Sequence, residues 1–264
     1  MPVMSRPGAA IYYETNGEIS SGMGADVVTL VNGHTRSSSD FRMMSRVLLD
    51  AGIPSILIDN RGAGKTEVTQ PFSISDMCSD VVAVWDELGV RQSILLGISM
   101  GGFICQGVAI QQPSRVFKLI LVSSAPDEGY INPSGGGWIA EGDELEKKMK
   151  FYFAPGFVDR NPVLFTTMVS QIRQAIKQGH FTERSDMQRR ALRGSSWTDQ
   201  LNEIKAETLI IHGLQDQVID ISAAHALNKL ITNSKLSPIE GAGHLLLAEA
   251  PKILYDKIVS FILS

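Results

Sequence analysis

Gly97-Ile98-Ser99-Met100-Gly101 decides how the rest of this chain is read. An apolar run, Ile94-Leu95-Leu96, precedes it. A helical pattern through Phe103, Ile104, Gly107, Val108 and Ile110 follows and stops at Pro113. Strand, sharp turn and helix with a serine at the apex is a geometry that lifts a hydroxyl clear of a sheet edge. The serine must then adopt a strained backbone conformation. Side chains two residues to either side would collide, so glycine belongs at Gly97 and Gly101. The helix that follows aims its free N–H groups and the positive end of its dipole at the same spot, which favours negative charge there. In a chain with 24 glycines the five-residue pattern alone can arise by chance, so the flanking elements and the partners elsewhere give it weight.

The 264 residues suffice for one large domain or two small ones. Hydrophobic residues at 44% and charged residues at 20% are an ordinary globular balance. A net charge of -4 argues against a nucleic acid or an anionic membrane surface as partner. The densest basic cluster, Arg184 to Arg193, is interrupted by acidic and apolar residues and forms no stripe. The opening residues, Met1-Pro2-Val3-Met4-Ser5-Arg6-Pro7, lack the apolar region of a secretory signal, and no apolar run reaches membrane-spanning length. Two cysteines, Cys78 and Cys105, make no disulfide framework and fit a reducing compartment, so the cytoplasm is the expected location. Cys105, inside the helix after Ser99, reads as a small core residue.

Strands and helices alternate on both sides of the serine. Strands are expected at Ala9 to Glu14, Val27 to Val31, Ile53 to Ile58, Ser93 to Leu96 and Phe117 to Val122. Near-continuous apolar runs such as Val27 to Val31 are typical of buried parallel strands. Helical spacing covers Ser39 to Leu49 and Ser73 to Leu88, with Ser73 as N-cap and Asp76 three residues on. After a change of character the alternation resumes: Thr208 to Ile211 and Lys235 to Ile239 as strands, Ile221 to Ile231 and Ile253 to Leu263 as helices. This is an α/β class chain with a mostly parallel twisted sheet and helices on both faces. The intervening segment, residues 126–198, carries a glycine run at Ser134-Gly135-Gly136-Gly137 and helical patterns at Glu144 to Phe153, Asn161 to Gln178 and Arg184 to Leu192. It is expected to be a helical lid inserted between two strands of a core made of residues 1–125 and 199–264. Its aromatic and large residues, Trp138, Phe151, Tyr152, Phe153, Phe157, Phe165, Met168 and Trp197, are expected mostly to form the lid's own core. In such sheets ligands bind beyond the carboxyl ends of the strands.

A serine hydroxyl needs a base to take its proton, and the base needs an orienting partner. Of the five histidines, His244 is best placed, in the glycine loop Glu240-Gly241-Ala242-Gly243-His244 after a strand. The bland alternative for it is a turn or capping histidine. His225 lies between alanines on a helix, His212 opens a turn after a strand, and His180 falls in the lid. For the orienting acid Asp216 stands on a short loop after the strand ending at Ile211. Asp127, after the strand Phe117 to Val122, and Asp220, in an N-cap position, remain alternatives. An oxyanion site would take the backbone N–H of Met100, directly after the serine, and that of His34 in the loop Asn32-Gly33-His34-Thr35. The order Ser99, Asp216, His244 differs from that of the two common serine-protease folds.

Together these residues resemble the α/β-hydrolase family along nearly the whole chain. The matching pieces are Asn32-Gly33, Asp59-Asn60-Arg61-Gly62-Ala63-Gly64, Gly97-Ile98-Ser99-Met100-Gly101-Gly102, His212-Gly213-Leu214-Gln215-Asp216 and Gly241-Ala242-Gly243-His244. Family members usually carry His-Gly where this chain has Asn32-Gly33; histidine there supports the oxyanion loop, and asparagine can hydrogen-bond in its place. A serine at the turn separates the chain from the haloalkane dehalogenase and epoxide hydrolase branches, which use aspartate. The resemblance is nearest to small esterases, enol-lactonases and cofactor-free perhydrolases. It implies a serine hydrolase acting on an ester, lactone or thioester of a small molecule through an acyl-enzyme, without metal or organic cofactor, as a monomer or homodimer. Carbon–carbon or amide hydrolysis by the same triad, and a non-catalytic ligand receptor on the same fold, are the alternatives. Gly62-Ala63-Gly64-Lys65-Thr66 ends like a phosphate-binding loop, but Asp59 stands where that motif needs glycine, so it reads as a turn.

Overall fold

The computed structural model describes residues 2–22, 24, 26–133, 143–177, 179 and 181–264. The glycine run from Ser134 to Gly137, and Trp138, Gln178 and His180, lie outside the described residues. In chain order the elements are β1 (Val3–Arg6), β2 (Ala9–Asn16), β3 (Val28–Val31), α1 (Arg42–Asp50), β4 (Ser55–Ile58), β5 (Glu67–Val68), α2 (Ile74–Glu87), β6 (Ser93–Ile98), α3 (Met100–Gln111) and β7 (Val116–Val122). Then come α4 (Asp143–Lys150), α5 (Phe157–Arg160), α6 (Pro162–Lys177) and α7 (Phe181–Leu192). The chain closes with β8 (Glu207–Gly213), α8 (Ile221–Leu230), β9 (Ser234–Ile239), α9 (Leu246–Glu249) and α10 (Pro251–Leu263).

Among the described residues the strands form one sheet in the order β1-β2-β4-β3-β6-β7-β8-β9, with β5 beside β2. From β4 to β9 every pairing is parallel. Within the sheet, antiparallel pairing among the described residues involves β2 and its neighbours. The parallel strands are apolar because both faces are covered: Leu95 packs in the layer with α2, α3 and α8, and the next residue, Leu96, in the layer with α1 and α10. Trp85 of α2 is fully buried against the sheet and donates its indole N–H to Thr29 Oγ1 at 2.7 Å. Ser73 caps α2 as the sequence predicts: its Oγ accepts the Asp76 N–H, and the Asp76 carboxylate accepts the Ser73 N–H, a reciprocal capping box. The sequence pattern misses β1 because that strand alternates exposed and half-buried positions at the sheet's edge and has no apolar run.

Between β7 and β8 the chain leaves the sheet for a segment that includes helices α4 to α7. Leu145, Met149, Phe153, Phe165, Val169 and Ile172 form a third apolar cluster with Val218, Ile219 and Ala223. Phe153 stacks on Phe157 at 5.3 Å and meets Phe165 edge-on at 6.0 Å. Tyr152, a buried member of this cluster, and Met168, packed against it, also line a cavity over the sheet edge, whereas Phe151 is exposed. Trp197 is also different: it packs on the sheet's own core, 5.7 Å from Phe103, and donates its indole N–H to the Phe103 carbonyl. Helix α4 ends at Lys150, short of the expected Phe153, because the Tyr152 carbonyl turns away to accept the N–H groups of His244 and Leu245. Among the described residues no helix is long and apolar enough to cross a membrane.

Candidate active site

Ser99 sits between β6 and α3 with φ 54° and ψ -122°, a conformation costing roughly 1–3 kcal/mol for a residue with a side chain. Main-chain bonds hold it there: its N–H donates to the Val122 carbonyl at 2.8 Å, and its carbonyl accepts from Phe103 N–H at 3.2 Å and Ser124 Oγ at 3.0 Å. The flanking glycines are sterically required, though not for one common reason. A Cβ at Gly97 would strike the Gly101 backbone across the turn, whereas a Cβ at Gly101 would strike the Val31 carbonyl of the neighbouring strand. The tight turn and the close approach of α3 to β3 therefore both depend on missing side chains.

Asp216 and His244 are brought together by main-chain pairing between their loops. After β8, Leu214 N–H donates to Ile239 and Gln215 N–H to Ala242, so the Asp216 loop lies along the loop that carries His244. Gly213 allows this approach, since a Cβ there would run into the Ala242 and Gly243 backbone. Asp216 Oδ1 accepts the N–H groups of Val218 and Ile219, both at 2.9 Å, which fixes the carboxylate plane. Its other oxygen, Oδ2, accepts His244 Nδ1–H at 2.8 Å, and His212 Nε2 lies 3.2 Å away. Burial would raise the Asp216 carboxyl, but the charge and hydrogen bonds of His244 and His212 outweigh it and hold the group well below the usual carboxylate range. With Nδ1 protonated, His244 Nε2 is left to accept the Ser99 hydroxyl at 3.1 Å. Sequence positions 99, 216 and 244 thus converge in one hydrogen-bonded line.

The other candidates do not join this line. Asp127 borders the same cavity but accepts from Gly129 N–H and Thr198 Oγ1 at the start of a short turn, and Asp220 caps α8 through Ser222 N–H. His225 is exposed on α8. His212 is fully buried, its Nε2–H donating to the Ile219 carbonyl at 2.8 Å, so it packs behind the acid and does not face Ser99. The Gly62 to Thr66 segment is a turn after β4, wrapped on Asp59, whose carboxylate accepts Ser38 N–H and Lys65 N–H.

The loop after β3 runs against the serine: a Cβ on Gly33 would stand 3.2 Å from Ser99 Cβ. Asn32 supports the loop, its Oδ1 accepting Gly33 N–H at 2.8 Å and its Nδ2 donating to the Ser37 carbonyl at 2.8 Å. The His34 imidazole turns away from Ser99, and burial pushes its pKa below the ordinary value. Among the described residues the backbone N–H groups of His34 and Met100 have no acceptor within the protein, and both residues line the cavity. That cavity, of about 480 Å³, holds Ser99 and His244 beneath mostly apolar walls that include Ile98, Phe103, Met168, Leu192 and Val218. Among the described residues no cluster of three or more His, Cys, Asp or Glu side chains could hold a metal ion.

Sequence reasoning missed Glu249. Its carboxylate accepts three backbone N–H groups: Ala154 at 2.7 Å, Gly243 at 3.1 Å and Leu245 at 3.2 Å. Two of these flank His244, so a side chain five positions downstream clamps the loop that carries it. Nothing in the sequence marks it, because a glutamate before Pro251 looks like any exposed helix-start residue.

Comparison with known proteins agrees with this architecture. The sequence model of the alpha/beta hydrolase fold matches residues 26–251. The 3-oxoadipate enol-lactonase 2 of Acinetobacter baylyi is 27% identical over 207 residues, 75% of this chain and 74% of that protein. The 2-hydroxy-6-oxononadienedioate/2-hydroxy-6-oxononatrienedioate hydrolase 1 of Pseudomonas putida is 27% identical over 250 residues, 89% and 85% of the two chains. Among solved structures, MGS-M2, an alpha/beta hydrolase enzyme from a Medee basin deep-sea metagenome library, superimposes with a TM-score of 0.88 over 100% of this chain and 98% of its own, at 18% identity, a likeness of fold. A mostly parallel sheet with its serine turn after β6, and a sequence match that runs from β3 through β9, make this chain a member of the α/β-hydrolase family.

Proposed function

We propose that the chain is a serine hydrolase that cleaves a carboxylic ester, with lactones and thioesters in the same class, of a small and partly apolar substrate. The observation that carries the reading is the line from Ser99 Oγ through His244 to Asp216, with spacings of 3.1 and 2.8 Å, on the floor of the cavity. In this reading His244 Nε2 takes the hydroxyl proton as Ser99 Oγ attacks the carbonyl carbon. Asp216 remains ionised, fixes the Nδ1–H tautomer and stabilises the imidazolium. The His34 and Met100 N–H groups hold the oxyanion, each such donor being worth about 3 kcal/mol in the transition state. His244 then returns the proton to the leaving oxygen, and water, activated by the same imidazole, releases the acyl group. Residues 126–198 act as a cap over a core of residues 1–125 and 199–264. The two free buried cysteines fit a cytoplasmic setting.

Carbon–carbon hydrolysis is a second reading, supported by the similarity to the Pseudomonas putida hydrolase across 89% of this chain. A panel of p-nitrophenyl esters of increasing acyl length, lactones and a vinylogous 1,5-diketone separates the two. Ester or lactone turnover that vanishes in Ser99→Ala supports the proposal. Turnover of the diketone alone replaces it with the second reading, and no turnover with any member favours a ligand receptor.

A further inference from the structure

The longest polar reach toward the site runs from α7 back to the loop after β3. Gln188 is fully buried and uses both ends of its amide: Oε1 accepts Thr35 N–H at 2.6 Å, and Nε2 donates to the Arg61 carbonyl at 2.7 Å. One partner can only donate and the other only accept, which settles the orientation of the amide. One turn earlier, buried Ser185 offers its carbonyl to His34 Nε2–H at 3.0 Å and its Oγ at 3.2 Å. The helix lies close on the core here: a Cβ at Gly62 would stand 3.1 Å from both the Arg184 carbonyl and Gln188 Cγ.

These contacts bear on one peptide group. Along the loop, Gly33 N–H donates to Asn32 Oδ1, Thr35 N–H to Gln188 and Arg36 N–H to the Gly33 carbonyl, which leaves the His34 N–H as the member of that run without an acceptor among the described residues. Thr35 holds φ 60°, a left-handed conformation that a β-branched residue keeps only under constraint. Its anchor is the Gln188 carbonyl oxygen. Without that oxygen, Thr35 can relax to negative φ, and His34, between the two peptides, turns with it.

We infer that Gln188 is a positioning residue: from a helix outside the sheet it fixes the peptide after His34 and so keeps the His34 N–H aimed at an oxyanion on Ser99. Helix α7 is thereby a standing part of the catalytic apparatus. The inference rests on the proposed serine chemistry and adds a residue that touches neither substrate nor reacting atoms.

The test compares wild type, Gln188→Met and Arg184→Ala with the best ester of the chain-length series. Gln188→Met should lower kcat on the order of 10–100-fold with KM within about twofold. Affinity for an alkyl trifluoromethyl ketone, which adds to the serine and needs the same oxyanion donors, should fall by the same factor as kcat/KM. Arg184 donates to the Gly64 carbonyl and among the described residues has no hydrogen bond to the loop from Gly33 to Arg36, so Arg184→Ala should keep kcat within about twofold. A folded Gln188→Met enzyme with full kcat, a change confined to KM, or an equal loss in Arg184→Ala would overturn the inference. Turnover that survives Ser99→Ala would overturn the serine reading itself and is scored separately. Should Gln188→Met not fold, amide hydrogen exchange of Thr35 in the wild type decides: slow exchange supports the anchor, and exchange as fast as in an open loop removes it.

Discussion

The loops at the carboxyl edge of the sheet and helix α7 serve the same site by opposite means. The loops work through backbone shape. Ser99 is held at positive φ by main-chain bonds, and glycines at 97, 101 and 213 let strands and turns approach where any Cβ would collide. Helix α7 works through side chains. Its buried positions are Ser185, Gln188 and Ala191, and the first two hydrogen-bond to the core. A strand end locked between two apolar layers can place a nucleophile to within the tolerance of bond making. A helix held by a few side-chain bonds, each worth about 0.5–1.5 kcal/mol net, adjusts what surrounds that nucleophile and can be altered piece by piece. In the proposed reading the reacting atoms belong to the first region, and the fine aim of the oxyanion loop to the second.

If that division holds, substitutions should fall into ranks. Ser99→Ala removes the reacting atom and should cut turnover by about 10⁴-fold or more with the fold intact, measured by ester hydrolysis beside a thermal melt. Asp216→Asn should follow at about 10⁴-fold, since the amide leaves His244 in the wrong tautomer. It should also change acid stability. The Asp216 pKa is depressed in the folded state, so its stabilising contribution is fully present above the unfolded value of about 3.9 and is lost as pH falls through the folded value. Unfolding below about pH 4 should therefore be shallower in Asp216→Asn than in wild type, and equal acid profiles would contradict the account.

Glu249→Ala should come next. It strands the Ala154 and Gly243 N–H groups and leaves Leu245 N–H only its bond to the Tyr152 carbonyl, loosening the loop around His244 and lowering kcat on the order of tenfold. A loss as large as that of Asp216→Asn would mean that the clamp does more than hold the loop. The smallest effect on turnover belongs to Ser73→Ala at the start of α2, far from the cavity. It should cost about 1 kcal/mol of stability by denaturant titration and leave kcat unchanged.

The same division explains what could be read in the sequence. Ser99, Asp216 and His244 could be located because strained or closely packed strand ends demand glycines at set offsets, and those glycines are visible. Ser73 and Asp76 could be read because a capping box spans four consecutive residues. Gln188 could not, because its partners are Thr35 and Arg61, 153 and 127 positions away, and a polar residue in a helix carries no mark of whether it is buried. Glu249 was hidden for a related reason: its partners are backbone amides, which every residue type has. The edge strand β1 and the path of Trp197 onto the sheet core likewise depend on tertiary neighbours and leave no local pattern.

The central claim, that Ser99 is an alcohol made reactive by His244 and Asp216, is tested most directly by exposing the native chain to a fluorophosphonate and mapping the adduct by peptide mass spectrometry. The account predicts one adduct per chain, on Ser99, formed at least ~10³-fold more slowly in His244→Ala. An adduct on another residue, or a natively folded chain whose Ser99 stays unmodified, would contradict it.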